Sequence, residues 1–408
     1  MLIAQSSYGA LSATSANTIK GSAPWFTGQS GAKKLGFIVN GTPYSESLNN
    51  INPTEIKEFN TSLKLSDFTV TNLTAADFSP TNDYADSDGD IADPTTPFSM
   101  NPRTFVWKDR TGALIPTANY NKPLGCGSDL KLPLILEITL PKVKVRSRYG
   151  NPRESVEMNL VQRYKIGAPS GICFAKPNSL DWVSAWGVSG NPTRGGGYNQ
   201  AQFDPDNGFK ASLSTKFPTT GFPGAEFTLV MVGSPTDYTF THNGGTAVTV
   251  DGGTGKVTLN SKPSGAVTIK AKHNSAPPLA SPHEYTFDPR TVWVVPKGST
   301  SMTYADAKTT CGGESNIPSR AQLTNSPQKN APQGWSFFEN YSPREVGGGV
   351  FGEWGIAYAS NYPESQWSGN WQWTRDLNSL NSQFVADTIL GYVVWRYTSD
   401  PHYVVCLE

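Results

Sequence analysis

Apolar and polar residues alternate in short runs along most of this chain, and clusters of Gly, Pro, Asn, Asp and Ser separate the runs. That is the two-residue period of half-buried strands bounded by turns. It predicts strand pieces at Leu35-Gly-Phe-Ile-Val39, Ser66-Asp-Phe-Thr-Val70, Thr104-Phe-Val-Trp107 and Leu132-Pro-Leu-Ile-Leu-Glu-Ile-Thr-Leu140. Lys142-Val-Lys-Val-Arg-Ser-Arg148 alternates apolar with basic, as a half-exposed strand does. A second series begins at Ala225-Glu-Phe-Thr-Leu-Val-Met-Val232 and continues with Asp237-Tyr-Thr-Phe-Thr-His242, which runs into Asn243-Gly244. Ala247-Val-Thr-Val-Asp251 and Lys256-Val-Thr-Leu259 flank Gly252-Gly-Thr-Gly255, a hairpin signal, and Ala266-Val-Thr-Ile-Lys-Ala271 follows after another turn. No heptad and no long amphipathic helix interrupts this pattern. One short helical stretch stands out, Thr303 to Cys311, with Thr303 and Asp306 at capping-box spacing.

The pattern divides the chain into four. Residues 1–34 are Ser-, Gly-, Ala- and Thr-rich and read as a tail or linker. Residues 35–204 read as an N-terminal extracellular β-domain, either one enlarged sandwich or two small ones, with strands ending near Trp186 before the turn-rich Asn191-Pro-Thr-Arg-Gly-Gly-Gly197. Residues 205–292 have the closely spaced short strands of an immunoglobulin-like sandwich without an internal cysteine pair. Residues 293–408 form the last unit. A length of 408 residues suits about two to four domains. The fold class is thus mainly β and multidomain.

Composition narrows the function classes. Only 37% of residues are hydrophobic, yet there are 11 Trp, 16 Tyr and 19 Phe, and 39 Gly and 31 Pro favour turns. The 33 basic and 33 acidic side chains cancel, which removes the electrostatic case for nucleic acid or an anionic membrane. No apolar run approaches the roughly 20 residues of a membrane helix, so membrane insertion by this chain is not expected. Met1-Leu-Ile-Ala-Gln5 lacks a basic start and an apolar core, so a mature form or a C-terminal piece with an added Met is expected. No GxSxG, HExxH, GxxxxGK[ST] or GxGxxG stands in a usable context, and pairs such as Glu345 and Glu353 occur in any chain this acidic. The expectation is a binding protein rather than an enzyme, and a monomer.

Val248 to Ala271 closely resembles the bacterial Ig-like repeats of surface adhesins. Thr303 to Cys311 and the closing Tyr403-Val-Val-Cys406-Leu-Glu408 resemble the first helix and last strand of a C-type-lectin-like domain of α+β type. An Ig-like repeat leading into such a domain resembles the tip of the intimin/invasin family. Met302–Lys308, Ile317–Leu323, Gly352-Glu-Trp-Gly355 and Trp371-Gln-Trp-Thr374 follow that family's module in order. The resemblance covers about 205–408 and does not explain 1–204. It implies an extracellular adhesin tip, on a bacterial surface or secreted, that binds a host-cell surface protein or glycan through the last domain with the β-domains as spacers. The alternative is a secreted, unanchored effector or carbohydrate-binding protein built from the same modules. The four cysteines lack CxxC spacing and the four histidines lie apart from them, so zinc is not expected. Two local disulfides, Cys126 with Cys173 and Cys311 with Cys406, fit an oxidising compartment, and four separate buried thiols are the other reading.

Three constellations bear on binding. Calcium-dependent lectins of this fold carry Glu-Pro-Asn or Gln-Pro-Asp triplets and a Trp-Asn-Asp, and none occurs here, so recognition without metal is expected. Tyr358, Tyr362, Trp367, Trp371 and Trp373 crowd into one short stretch. Trp371 and Trp373 suit one buried strand face, whereas Tyr362 and Trp367, on a turn-rich loop, are candidate anchors, with Arg375 and Asp376 as neighbouring charges for a receptor. Asp86, Asp88 and Asp90, between Asp83 and Asp93, make a weak candidate for a structural Ca²⁺. The Gly at the wrong position and the absent Glu exclude a helix–loop–helix site, and a solvated acidic loop is the plainer reading. No other cofactor is expected.

Overall fold

The computed structural model describes residues 21–128, 130–274, 281–334 and 339–408. They fall into two compact units. The first takes the described part of Met1–Glu58 with Lys64–Asn121 and Pro133–Gly167, and the second takes Phe59–Leu63, Lys122–Leu132 and Ala168–Glu408.

The first unit is built on one long strand, Leu134–Val145, paired antiparallel with Met158–Gly167 and Thr104–Lys108. Its alternation carries a phase change: Leu134, Leu136, Ile138 and Leu140 are buried, and then Val143 and Val145. One extra residue at the Pro141–Lys142 step lets both halves face the same core, which is what a bulge does. The register moves there, from Leu160 opposite Leu140 to Met158 opposite Val143, and Lys142 has a φ of 55°. Ile56–Glu58 joins Met158–Gly167 in parallel at the sheet edge. Phe37 and Phe68 pack against Tyr164 and Trp107 at ring distances of 5.3–5.6 Å.

Residues 21–34 are not the tail that their composition suggests. Trp25–Phe26 pairs with Tyr84–Ala85, Gln29–Lys34 is a helix, and the Phe26 ring meets Phe78 and Phe98 at 5.4 and 6.1 Å. A single buried aromatic ring is enough to anchor a segment that is otherwise polar. Residues 1–20 of the expected tail lie outside the described residues.

In the second unit a six-stranded sheet runs in the order Phe203–Asp204, Gly208–Lys210, Ile172–Pro177, Ala225–Met231, Lys256–Leu259, Val248–Val250. A three-stranded sheet, Tyr238–His242, Val267–His273 and His283–Phe287, contributes to the same core: Phe227, Leu229, Val257 and Leu259 from one sheet cluster with Ile269, Ala271, Tyr285 and Phe287 from the other. That is the expected sandwich, but it begins earlier than 205. Ile172–Pro177 is its third strand, so the first unit stops at Gly167 and not at 204.

Part of the C-terminal stretch continues this core. Trp354, Tyr362 and Trp367 belong to the same cluster as Phe217, Phe222 and Phe227. The Phe222 ring lies 5.3 Å from Trp354, 5.2 Å from Tyr362 and 5.5 Å from Trp367. Two buried charges complete the join. The Glu353 carboxylate accepts from the backbone N–H and hydroxyl of both Thr219 and Thr220, at 2.7–3.0 Å, and from Gly347 N–H. The Arg344 guanidinium donates to the carbonyls of Ser179, Asp181, Gly352 and Glu353 and lies over the Phe203 ring. Every one of these donors and acceptors has a partner, as buried charge requires.

A second, smaller core sits around the last disulfide: Tyr304, Ala307, Ile317, Trp373, Val385, Val394 and Val404 with Cys311 and Cys406. The helix Tyr304–Thr310 starts at Thr303, whose hydroxyl accepts from Asp306 N–H as the capping spacing predicts. Both expected disulfides form, with Cα–Cα distances of 5.6 Å for Cys126–Cys173 and 5.4 Å for Cys311–Cys406. Both belong to the second unit, because Lys122–Leu132 packs there. Cys126 was expected inside the first domain. In the chain-entropy model each bond contributes about 4–5 kcal/mol for loops of 47 and 95 residues. Among the described residues no helix is long and apolar enough to cross a membrane.

Candidate recognition surface

Three strands near the C-terminus form one sheet, Trp371–Ser379, Ser382–Asp387 and Val393–Tyr397, in that order, and the last strand, Val405–Leu407, pairs instead with Val292–Pro296. The first two form a hairpin whose turn is Leu380-Asn381. The middle strand is buried along its whole length, so the exposed side chains come from the turn and the flanking strands. Leu380 at the turn is 91% exposed, Leu377 48% and Tyr397 56%. Tyr397 stands opposite Ser382 on the rung beside the turn, and its ring meets Trp395 at 5.4 Å. Thr398 N–H bonds the Asn381 carbonyl at 3.0 Å and ties the turn to the third strand. Leucine and aromatic side chains held out by a tied hairpin bury apolar area when a partner covers them.

Arg375 and Asp376 lie at the base of this hairpin. Between Trp373 opposite Val385 and Leu377 opposite Gln383 the first strand carries extra residues, and this irregularity turns them away from the ladder. Arg375 bonds the Pro318 carbonyl through its N–H and the Ser315 carbonyl through its guanidinium. Asp376 Oδ2 accepts Arg320 N–H at 2.6 Å and lies 3.5 Å from Arg320 Nε. Arg320 in turn stacks on Phe384 at 3.8 Å. Both residues are half-exposed and both already hold the 315–320 segment in place.

Tyr362 and Trp367 are placed otherwise than expected. They are 0% and 1% exposed, packed on Phe222, and the Tyr362 hydroxyl donates to the Trp354 carbonyl at 2.6 Å. Their loop is turn-rich but lies against the sandwich, so they are core residues and not projecting anchors. Trp373 is buried, as its strand position implied, and Trp371 is half-buried. Leu377, Leu380 and Tyr397 escaped the sequence reading. The only available signal was Leu-Asn-Ser-Leu-Asn-Ser at 377–382, two leucines in a run too polar to be core.

In the first unit the acidic loop is largely occupied with itself. Asp83 is buried, accepts Ser79 N–H at 2.8 Å and faces Lys34 at 3.7 Å. Asp86 Oδ1 accepts Asp88 N–H, Asp88 Oδ2 accepts Ser22 N–H, and the Tyr84 hydroxyl donates to the Asp90 carbonyl. Burial, with Asp86 and Asp90 beside it, pushes the Tyr84 hydroxyl up to about 12. Among the described residues no group of three or more His, Cys, Asp or Glu side chains is arranged to hold a metal ion. Asp86, Asp88 and Asp90 share a loop without converging on one point.

Residues 197–287 match the family model described as invasin, domain 4. No curated protein sequence matches the chain. Among solved structures, it is similar to that of invasin, a bacterial integrin-binding protein, at 15% identity over 79% of this chain and 53% of that one, with a TM-score of 0.42. It is similar to the C-terminal 282-residue fragment of intimin, solved in complex with the intimin-binding domain of the translocated intimin receptor, at 15% identity over 80% of this chain and 92% of that one, TM-score 0.36. It is also similar to a mutant intimin of EHEC O157:H7, at 21% identity over 47% and 89%, TM-score 0.32. The chain spans about half the length of the invasin structure. The match at 197–287 contains the Val248–Ala271 motif that carried the resemblance, so it is this stretch that is similar to invasin domain 4 and intimin/invasin-like.

Proposed function

We propose that this chain is the receptor-binding end of a bacterial surface adhesin, acting outside the cell by binding and not by catalysis. The partner is a protein of the host-cell surface, and the contact is made by the hairpin around Leu380 together with Tyr397. The observation that carries this reading is the exposed apolar group at the hairpin turn, held out by a module that follows a stretch similar to invasin domain 4. Two disulfides support an oxidising, extracellular setting. Invasin is named as an integrin-binding protein and intimin was solved with its receptor, which favours a protein partner over a sugar. Arg375 and Asp376 contribute at the rim of the same contact, where charges set specificity and association rate more than affinity.

The test is binding of the full chain to host cells, alongside Leu380→Asp and Tyr397→Ala. Each variant should weaken binding about tenfold or more, the loss of at least ~1.4 kcal/mol expected of an anchor. Thermal melting should stay unchanged. Undiminished binding by both variants would move the contact off the hairpin, and binding abolished by prior deglycosylation of the cells would replace the protein partner with a glycan.

A further inference from the structure

In the second unit four half-buried aromatic rings form a continuous strip that ends at a guanidinium on each side. Arg396 lies over Trp371 with its guanidinium carbon 4.7 Å from the ring centre. Trp371 meets Tyr392 at 4.8 Å, Tyr392 meets Tyr341 at 5.9 Å, and Tyr341 meets Trp186 at 6.4 Å. Arg194 lies over Trp186 at 5.5 Å. The loop between Ile172–Pro177 and Phe203–Asp204 is tied to Tyr341 by backbone bonds: Tyr341 N–H bonds the Arg194 carbonyl and Gly196 N–H bonds the Tyr341 carbonyl. Its geometry is therefore set by backbone bonds and not by side-chain choice alone.

The chemistry of the strip selects its ligand. The guanidinium groups rest on the tryptophan faces, which removes those faces from stacking on neutral sugar and leaves flat, supported N–H forks instead. Arg194 already uses its fork on a carboxylate, that of Glu339 at 2.6 Å. Arg396 gives one N–H to the Trp395 carbonyl and has no acidic partner among the described residues. Its uncompensated charge is felt by His402, whose ring, already disfavoured by burial, it pushes further from protonation. Between the two arginines the Tyr341 and Tyr392 hydroxyls make no hydrogen bond to protein groups among the described residues. Burial holds Tyr392 at about 12, so its hydroxyl stays protonated and able to donate.

We propose that this strip binds a linear glycan bearing carboxylates, with one carboxylate received by the Arg396 fork and sugar hydroxyls met by Tyr392 and Tyr341. The strip's rings meet edge to face at Trp371–Tyr392 and Tyr392–Tyr341, so it offers ring edges and hydroxyls, which suit the edges of a sugar chain, whereas a peptide anchor residue needs a well-packed pocket. The carboxylate, as opposed to a sulfate, is chosen because its two planar oxygens match the two parallel N–H groups of the fork. Arg396 neighbours Tyr397 on the same strand, but successive side chains of a strand point to opposite faces, so the strip and the hairpin contact use different residues.

The experiment titrates the full chain with a hyaluronan oligosaccharide, with its carboxyl-reduced and therefore neutral counterpart, with a heparin oligosaccharide and with an oligoglutamate peptide. The hyaluronan oligosaccharide should bind, carboxyl reduction should abolish binding, and Arg396→Gln should weaken it about tenfold, the effect of one charge-assisted pair. Arg396→Lys, which keeps the charge and loses the fork, should recover only part of that loss, and both variants should melt with the parent. Leu380→Asp should leave oligosaccharide binding intact, which separates this site from the receptor contact. No binding of the hyaluronan oligosaccharide at low salt, equal binding of the reduced form, no effect of Arg396→Gln, or preference for heparin or oligoglutamate would each overturn the proposal.

Discussion

His402 and Asp387 are two titrating side chains of the closing module whose environments push in opposite directions. The His402 ring packs edge-to-face on Trp373 at 4.9 Å, and its Nε2 is buried without a partner. Burial, helped by the charge of Arg396, lowers it to about 4. Asp387 is 2% exposed and burial raises it to about 6, although Ile389 and Leu390 N–H groups bond its Oδ2. The unfolded chain binds the histidine proton more readily, so the stability from a neutral His402 is present above about pH 6.5 and is lost as pH falls through about 4. For Asp387 the sign reverses: stability is full below about pH 3.9 and is lost as pH rises through about 6. Melting temperatures between pH 7 and pH 4 should therefore diverge in the two variants. His402→Gln should gain on the parent as pH falls, and Asp387→Asn should lose the advantage that it has at pH 7. Parallel curves would show that neither group titrates with folding.

At the scale of elements, the loop that carries Tyr362 and Trp367 is a packed wall. Trp367→Ala should cost about 3–5 kcal/mol in denaturant unfolding, as for a large aromatic removed from a core. Any loss of receptor binding by this variant should follow the unfolded fraction, and tight binding by a strongly destabilised Trp367→Ala would confirm that the ring makes no contact with the partner. Glu353→Ala should be at least as severe, about 3 kcal/mol or more, because several donors lose a charged acceptor at once. Equilibrium unfolding of Glu353→Ala beside Glu353→Gln would show how much of that loss belongs to the charge.

These same elements mark what sequence alone can reveal. Strands such as Thr104–Lys108 and Val267–His273, the Thr303 cap and both cysteine pairs were legible, since alternation, capping spacing and an even cysteine count act over short distances. Lys142 was read as the start of a new strand because the bulge hides the continuity of Leu134–Val145. Tyr362, Trp367, Arg344 and Glu353 were not legible. Their surroundings are supplied by Phe222, Thr219, Thr220 and Ser179, more than 100 residues away, and nothing local distinguishes a buried charge from a solvated one. The hairpin turn was missed for the opposite reason, since Leu377 and Leu380 carry no periodic partner.

For the second unit as a whole, the consequence of the continuous core is that the C-terminal module should not fold alone. Residues 293–408 by themselves would expose the faces of Trp354, Tyr362 and Trp367 that Phe217 and Phe222 cover. They would also leave the Glu353 carboxylate without its donors on Thr219 and Thr220. The Cys311–Cys406 bond cannot compensate: it restricts the unfolded chain by about 4–5 kcal/mol but supplies neither the missing apolar contacts nor the missing hydrogen bonds. Residues 293–408 should therefore show no cooperative melt and a weak near-ultraviolet dichroism signal even with the disulfide closed. Residues 168–408, with Cys173→Ser to remove the unpaired thiol, should melt cooperatively, below the full chain by about the 2–5 kcal/mol that a lost native disulfide typically costs. A sharp transition in 293–408 would mean that the small core around Trp373 suffices, and that the sandwich serves as a spacer and not as part of the fold that presents the hairpin.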